Sequence, residues 1–242
     1  MIIYGVNTVA EALRGGRVKR VKVGPRSDAR LDEVLAIAAK HGVPVSRVQP
    51  DVLDRDSRRG VHQGVVAELL PFREFSLADL VKGAKGPALL VVLDGVEDPH
   101  NVGAVLRSLD AAGGHGLIRQ TRRAAALDAA AAKASAGAIA YVPVADVVNI
   151  ARALEELKEL GVWTVGLAGD APQSFDTIDL TVPVALVMGN EGTGLRRLVR
   201  ERCDLLAAIP MAGHVDSLNV SVAAGVMLFE ALRQRRRQVT GP

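Results

Sequence analysis

Cysteine, aromatic residues and long apolar runs are all scarce in this chain of 242 residues. Cys203 stands alone, which excludes a disulfide framework, and the five histidines lack the spacing of a zinc site. We therefore predict a reduced compartment and no bound metal. The N-terminus has no signal-peptide pattern, and apolar segments such as ALLVVLDGV are too short to span a bilayer. These absences predict a soluble, cytoplasmic protein.

The apolar residues that are present are mostly aliphatic. Aromatic side chains make up 3% of the chain, whereas hydrophobic residues as a whole make up 49%. The cores must then be built from aliphatic strands and closely packed, Ala-rich helices, which favours an α/β architecture. A chain of this length is able to form one large core or two of unequal size.

Positive charge is concentrated near the N-terminus. Residues 1–72 contain twelve Lys or Arg against eight Asp or Glu, a net charge of +4, whereas the remainder of the chain carries −1. Such an excess suits a polyanionic partner such as nucleic acid. An ordinary solvated surface explains the charge equally well.

Hydrophobic periodicity divides the chain into three parts. Residues 1–72 alternate short helical and strand patterns, and 73–87 are polar and end in Gly-Lys-Gly-Pro, typical of an interdomain linker with one helical turn. Residues 88–242 form the larger domain. Its buried strand LLVVL is followed by a helix over about 103–112, and further strands alternate with helices up to a final helix from Ser217 to about Arg236. This order predicts a mostly parallel, doubly wound sheet.

Three predicted strand ends in the larger domain carry unusual polar residues, in segments 94–113, 188–197 and 209–225. Ligands of open α/β sheets bind at the carboxyl ends of strands. Taken singly, the residues have ordinary explanations: Asn101 and Ser217 as helix caps, Arg107 and Asn219 as helix-surface residues. Neither a Walker loop nor a G-x-G-x-x-G fingerprint is present, which weakens an NTPase or a nicotinamide-dependent dehydrogenase.

Together, DPHNVGAVLRS, VMGNEGTGLR and IPMAGHVDSLNVSVAAG closely resemble the three signature motifs of the SpoU (TrmH) family of RNA ribose 2'-O-methyltransferases, within the SPOUT superfamily. This resemblance covers residues 88–236. YGVNTVAEAL and RRGVHQGVVAEL resemble the N-terminal RNA-binding domain of the subgroup that methylates a guanosine of 23S ribosomal RNA.

The resemblance implies a homodimer that uses S-adenosylmethionine and whose C-terminal chain forms a deep trefoil knot. It also implies which residues form the site. The catalytic set is Asn101, Arg107, Glu191, Ser217 and Asn219, and the cofactor set is Leu167, Ala168, Gly189, Asn190, Ile209 and Leu218.

Arg107 matches the residue assigned in the family to activating the 2'-hydroxyl. Because an arginine is effectively always protonated, we expect it instead to position the substrate and to stabilise developing negative charge. For RNA binding, we expect backbone contacts from Arg58 and Arg59, a base contact from His62, and an extension of that surface by Arg119, Arg122 and Arg123. The Ala-rich segment 119–134 departs from the family pattern.

Two alternatives remain open at this point. One is a transfer-RNA or antibiotic-resistance ribosomal RNA methyltransferase, which would carry the same three motifs. The other is an RNA-binding assembly factor that retains the fold but has lost catalysis.

Overall fold

A computed structural model of the chain describes residues 1–25, 28–71, 73–122 and 124–240. Two separate β-sheets organise it, one of four strands near the N-terminus and one of seven strands in the remainder. The α/β class predicted from the sequence is confirmed.

The smaller sheet has the strand order β1-β4-β2-β3, in which β2 and β3 are parallel and the other pairs antiparallel. The strand β1 was not anticipated, because three residues are too few for a periodic signal. The elements of this part are β1 (Ile2–Tyr4), α1 (Val6–Arg14), β2 (Val18–Val23), α2 (Ala29–Lys40), β3 (Val45–Arg47), α3 (Pro50–Asp56) and β4 (Val65–Leu69).

The segment predicted to be a linker contains a helix, α4 (Leu77–Lys82). Ser76 and Asp79 form a capping box at its start, which satisfies amide groups that the first helical turn leaves unpaired. Leu77 and Leu80 are buried in the core beneath the larger sheet. This helix therefore packs as part of the larger α/β unit.

All neighbouring strands of the larger sheet are parallel, in the order β7-β6-β5-β10-β8-β11-β9. The knot stays a prediction. The elements are β5 (Leu89–Leu93), α5 (Pro99–Ala111), β6 (Gly116–Gln120), α6 (Ala129–Ala134), β7 (Val144–Val147), α7 (Ile150–Glu159), β8 (Trp163–Leu167), β9 (Gln173–Ser174), β10 (Val184–Met188), α8 (Arg197–Arg202), β11 (Leu205–Ala208) and α9 (Val220–Thr240), with 3₁₀ turns at Ala138–Ala140 and Phe175–Thr177.

Strand β5 shows how the core is divided. All five of its side chains are buried; Leu89, Val91 and Leu93 face a core shared with α5, α6 and α9, whereas Leu90 and Val92 face one shared with α4, α7 and α8. Such a continuous apolar run is expected of a parallel strand covered on both faces. The α5 side of the core continues into the N-terminal part, so the two sheets share one buried cluster.

Arg235, near the end of α9, anchors this helix to the segments that precede β5 and β10, at the amino ends of these strands. Its guanidinium donates to the carbonyl oxygens of Pro87 (2.7 Å), Ala88 (3.1 Å), Leu180 (2.9 Å) and Val182 (2.9 Å). Burial lowers the pKa of this group.

Replacing Arg235 by methionine is expected to lower the free energy of unfolding by about 2–3 kcal/mol, because four carbonyl groups lose a charged donor. Urea denaturation followed by circular dichroism measures the change. Arg237→Met, at an exposed position two residues further along, is the control. Equal midpoints for the two variants would contradict the anchoring role.

Candidate active site

A cavity of about 780 Å³ opens at the carboxyl ends of β8, β10 and β11. Most of its lining comes from four segments within residues 167–170, 188–195, 207–211 and 216–220, with Arg200 and Ala223 completing it. A volume of this size is typical of small-molecule and cofactor sites. All six residues predicted to bind a cofactor line it, namely Leu167, Ala168, Gly189, Asn190, Ile209 and Leu218.

The loop after β10 folds back on itself as a tight hairpin. The amide of Asn190 donates to the carbonyl of Gly194 (3.1 Å), and the amide of Gly194 donates to the carbonyl of Asn190 (2.9 Å). Gly192 and Gly194 have φ values of 91° and 65°, in the left-handed region that favours glycine. This explains why the segment needs several glycines although it is not a phosphate loop.

Three predicted catalytic residues, Asn101, Glu191 and Asn219, meet beside this hairpin. Oε1 of Glu191 accepts hydrogen bonds from Nδ2 of Asn101 (3.1 Å), from Nδ2 of Asn219 and from the amide of Val220 (3.2 Å). Nδ2 of Asn219 also donates to Oδ1 of Asn101 (3.0 Å). Glu191 lies 90 residues after Asn101 and 28 residues before Asn219 along the chain. The three side chains nevertheless form one polar cluster, which we call the Asn-Glu-Asn cluster.

Two helix starts differ from the prediction. Asp98, not Asn101, caps α5, because its side chain accepts from the amide of His100, and α5 begins at Pro99 rather than near residue 103. Asn219, not Ser217, caps α9, with Oδ1 accepting from the amide of Ser221 at 2.9 Å. Asn101 is thereby freed from capping and is buried inside the first turn of α5.

The other two predicted catalytic residues lie apart from the cluster. Ser217 lines the cavity and donates to Asp216 (3.3 Å). Arg107 is exposed on α5 outside the cavity lining, and its guanidinium forms no ion pair within the described part of the chain. It is therefore accessible to a ligand that lies along α5.

The predicted RNA contacts in the N-terminal part lie on the loop between α3 and β4. Arg58 and Arg59 are exposed, and both have positive φ values, of 52° and 60°. Non-glycine residues in this region are strained, and such strain is concentrated at functional sites. His62 is engaged internally, since Nδ1 accepts from the amide of Gly64 (3.0 Å) and Nε2 lies 3.2 Å from Asp54.

Arg119 and Arg122, two of the remaining predicted RNA contacts, lie at and just beyond the end of β6. Arg119 belongs to the strand rather than following it, and its side chain pairs with Asp146 (2.8 Å) and donates to the carbonyl of Ala125. Arg122 is exposed, and Arg123 lies outside the described residues. The neighbouring helix α6 is only six residues long, capped by Asp128.

Sequence reasoning missed several residues of the site. Asp170 and Arg200 pair across the cavity wall (2.7 Å), and this pairing lowers the pKa of Asp170. Asp94 is fully buried beneath the loop after β10, where it pairs with Arg196. Asp94 follows β5 and Asp170 follows β8, so the sequence did show an acidic residue after each strand. The partner of Asp94 lies 102 residues away along the chain and that of Asp170 lies 30 residues away, which sequence patterns do not reveal.

Gly189 leaves no room for a side chain, because the backbone of Gly194 and Leu195 lies directly against it. A Cβ atom there would lie 2.2 Å from the carbonyl carbon of Gly194, so the hairpin would have to move. We expect Gly189→Ala to weaken cofactor binding about tenfold or more, measured by calorimetry. Gly213→Ala, where the added Cβ meets no atom within 4 Å, should bind normally. Equal affinities would show that hairpin placement is not critical.

No helix within 1–25, 28–71, 73–122 or 124–240 is long and apolar enough to cross a membrane. Within the same ranges, no group of three His, Cys, Asp or Glu side chains is arranged to hold a metal ion.

Comparison with protein families gives two matches. Residues 88–229 match the SpoU rRNA Methylase family, and residues 2–75 match the family described as RNA 2'-O ribose methyltransferase substrate binding. The first match contains the cavity and the Asn-Glu-Asn cluster, and the second contains the loop with Arg58 and Arg59.

Curated relatives match almost end to end. The chain is 47% identical to the 23S rRNA (guanosine-2'-O-)-methyltransferase RlmB of Pseudomonas putida, over 97% of this chain and 96% of the relative. It is 43% identical to the putative TrmH family tRNA/rRNA methyltransferase YacO of Bacillus subtilis, over 96% and 95%.

Two solved methyltransferase structures are similar to most or all of the chain. The SpoU methyltransferase AviRb of Streptomyces viridochromogenes, in complex with the cofactor AdoMet, is similar with a TM-score of 0.83 and 27% identity, covering 100% of this chain and 91% of that one. An AdoMet-bound rRNA methyltransferase of Sinorhizobium meliloti has a TM-score of 0.76 and 29% identity, covering 96% and 86%. The second and third motifs line one cavity, and the first is hydrogen-bonded to both through Asn101. With family matches over residues 2–75 and 88–229 as well, the chain belongs to the SpoU rRNA methylase family.

Proposed function

We propose that this protein transfers a methyl group from S-adenosylmethionine to the ribose 2'-hydroxyl of a guanosine in 23S ribosomal RNA. The single observation that carries the proposal is the Asn-Glu-Asn cluster at the wall of a cofactor-sized cavity. The RlmB relatives, 43% to 48% identical over nearly the whole chain, favour 23S ribosomal RNA as the substrate.

The cavity suits S-adenosylmethionine in shape and in chemistry. Apolar side chains of Leu167, Ile209 and Leu218 offer surfaces for a flat base, and Leu218 is still 36% exposed. The glycine hairpin at 189–194 presents backbone rather than side chains, so a ligand is able to approach closely. Asp216 places negative charge in the wall, which suits a cationic cofactor, whereas the charge of Asp170 is balanced by Arg200.

When bound, S-adenosylmethionine supplies a methyl group that is already activated by its sulfonium. Transfer of that methyl group would break its bond to the sulfonium sulfur, leaving a neutral thioether, and would form a bond to the ribose oxygen. The protein has to align that oxygen, exclude water and accommodate the hydroxyl proton. Arg107 holds the substrate phosphate and hydroxyl and stabilises the negative charge that develops on the oxygen. Because arginine keeps its proton, a phosphate oxygen or water accepts the proton that is released.

Asn101, Glu191 and Asn219 act as a rigid frame in this scheme. Oε1 of Glu191 accepts three hydrogen bonds, which fixes the hairpin relative to the starts of α5 and α9. Ser217, at the cavity wall, orients the substrate or the guanidinium. We assign cofactor contacts to the six lining residues named above.

RNA would be held by the N-terminal part, residues 1–72, joined through 73–87 to the catalytic part, 88–242. The exposed Arg58 and Arg59 suit phosphate contacts, which supply affinity without reading sequence. Arg122 would extend that surface. His62 is better suited to holding the loop than to reading a base, because both ring nitrogens have internal partners. The cytoplasm, where ribosomal RNA is found, is the proposed location.

A homodimer is proposed from one exposed apolar stripe. Val222, Val226 and Phe229 lie on one face of α9, and Val222 and Phe229 remain 51% and 50% exposed. Adjacent exposed apolar side chains of this size are typical of protein interfaces. A second copy burying the same stripe would form a closed two-fold contact.

Replacing Phe229 by glutamate should convert the dimer to a monomer, because a charge would be buried opposite its symmetry mate. Sedimentation velocity measures the mass. Trp163→Glu, at another exposed aromatic residue, is the control and should leave the mass unchanged. A wild-type monomer at micromolar concentration would contradict the dimer.

The function is tested by incubating the purified full-length protein with labelled S-adenosylmethionine and unmodified 23S ribosomal RNA. Mass spectrometry of nuclease fragments locates ribose methylation, with Arg107→Ala as the inactive control. One methylated guanosine, absent with the variant, is the expected result. Methylation of transfer RNA alone would favour the transfer-RNA alternative, and cofactor binding without methylation of any RNA would favour the non-catalytic assembly factor.

A further inference from the structure

An ion pair joins the turn after β5 to the loop after β10, between a fully buried aspartate and an arginine whose side chain is 51% exposed. Asp94 directly follows β5, and its side chain is fully buried. It accepts from the backbone amide of Arg196 at 2.9 Å and from Nε of the same residue at 2.7 Å. Nη2 of Arg196 donates to Oε1 of Gln120, at the end of β6, at 2.8 Å.

These contacts join three adjacent strands of the sheet. Strands β6, β5 and β10 lie side by side in that order, so the arginine crosses from the loop after β10 over the end of β5 to the end of β6. The planar guanidinium makes both directed contacts at once, which the compact ammonium of a lysine is not able to reproduce.

The beginning of the same hairpin is tied to the same turn. Nδ2 of Asn190 donates to the carbonyl of Gly95 at 2.6 Å. The turn at residues 94–95 therefore holds the loop at both ends, through Asn190 and through Arg196. Glu191, which belongs to the Asn-Glu-Asn cluster, lies between these two points.

We propose that Asp94 and Arg196 are positioning residues. They hold the loop 189–196, which contains the hairpin and Glu191, in the conformation that binds the cofactor. The inference rests on the proposed use of S-adenosylmethionine. An uncompensated buried carboxylate is strongly destabilising, so Asp94 and Arg196 have to be present together. A displacement of about 1 Å in such a frame is sufficient to lower binding or turnover about a hundredfold.

The primary test measures the unliganded protein and does not depend on activity. Amide hydrogen exchange is followed by mass spectrometry for peptides covering 189–196 and 184–188 in wild type, Arg196→Lys and Asp94→Asn/Arg196→Gln. Faster exchange in 189–196, by about tenfold or more, is expected in both variants, with 184–188 unchanged. Arg197→Gln, at an exposed neighbour that pairs with Glu201, is the matched control.

The second measurement is the affinity for S-adenosylmethionine by calorimetry, together with KM and kcat. We expect both variants to raise Kd and KM for the cofactor about tenfold to a hundredfold, with a smaller change in kcat at saturation. The double variant has no unpaired buried charge, so it keeps the test valid if the lysine variant folds poorly. Folded variants with wild-type exchange in 189–196 and wild-type Kd would overturn the inference. A wild-type protein that binds no S-adenosylmethionine would instead overturn the proposed function.

Discussion

Replacing Arg107 by alanine is expected to lower turnover roughly a hundredfold to a thousandfold while leaving cofactor affinity unchanged. Arg107 is exposed on α5 and has no ion-pair partner among the described residues, so its removal costs the fold little. It also lies outside the lining of the cavity. Single-turnover methyl transfer with saturating RNA and cofactor measures the effect, and calorimetry measures cofactor binding.

Two further variants sharpen the result for Arg107. Arg107→Lys keeps the charge but loses the planar fork, so an intermediate loss of about tenfold is expected. Arg152→Ala, at an exposed arginine on α7, is the matched control and should behave as wild type. Normal turnover in Arg107→Lys would argue against fork-like contacts, and normal turnover in Arg107→Ala would remove the residue from the mechanism.

Replacing Glu191 by alanine is expected to affect both stability and turnover. Two side-chain amides and the amide of Val220 would lose their acceptor. Water is able to replace it at the exposed Asn219 but not readily at the buried Asn101. We expect a loss of about 1–3 kcal/mol in the free energy of unfolding. Because the hairpin is no longer fixed, turnover should fall about a hundredfold. Urea denaturation and single-turnover kinetics measure the two effects.

The isosteric variant separates geometry from charge at this position. Glu191→Gln keeps one acceptor oxygen and should retain most of the stability, but it removes a negative charge beside the start of α9, where such a charge is favourable. Glu201→Ala, at an exposed glutamate of α8 paired with Arg197, is the control. If Glu191→Ala were as stable and as active as this control, the Asn-Glu-Asn cluster would have no structural role.

The hydrogen bond from the amide of Val220 to Glu191 explains why stability and turnover should fall together in Glu191→Ala. The first amide groups of a helix have no partner inside the helix. At α9, one of them is satisfied by Glu191 from a distant loop and others by the capping residue Asn219. The start of α9 and the hairpin after β10 therefore depend on each other for their position.

Much of this protein was determined locally by the sequence. The buried run at 89–93 needs only apolar residues on both faces, and it predicted a parallel strand correctly. Asp28 before the apolar period at 29–40 fixed the start of α2, because its side chain caps the helix. The second and third motifs correctly predicted that the ends of β10 and β11 line the cavity. The first motif, after β5, contributes Asn101 to the Asn-Glu-Asn cluster instead, and the end of β8 lies outside the motifs. Short elements such as β1 and β7 carried too weak a period to be recognised.

The tertiary structure decided which of several polar groups caps, pairs or faces a ligand. Locally, Asn101 and Asp98 are both able to cap α5, as are Ser217 and Asn219 for α9. The choice depends on Glu191, which occupies Asn101 and Asn219 from a loop far along the chain. The pairing of Asp94 with Arg196, 102 residues apart, is likewise set by the adjacency of β5 and β10. Sequence periodicity reports local conformation, whereas these contacts exist only once the strands have been ordered in the sheet.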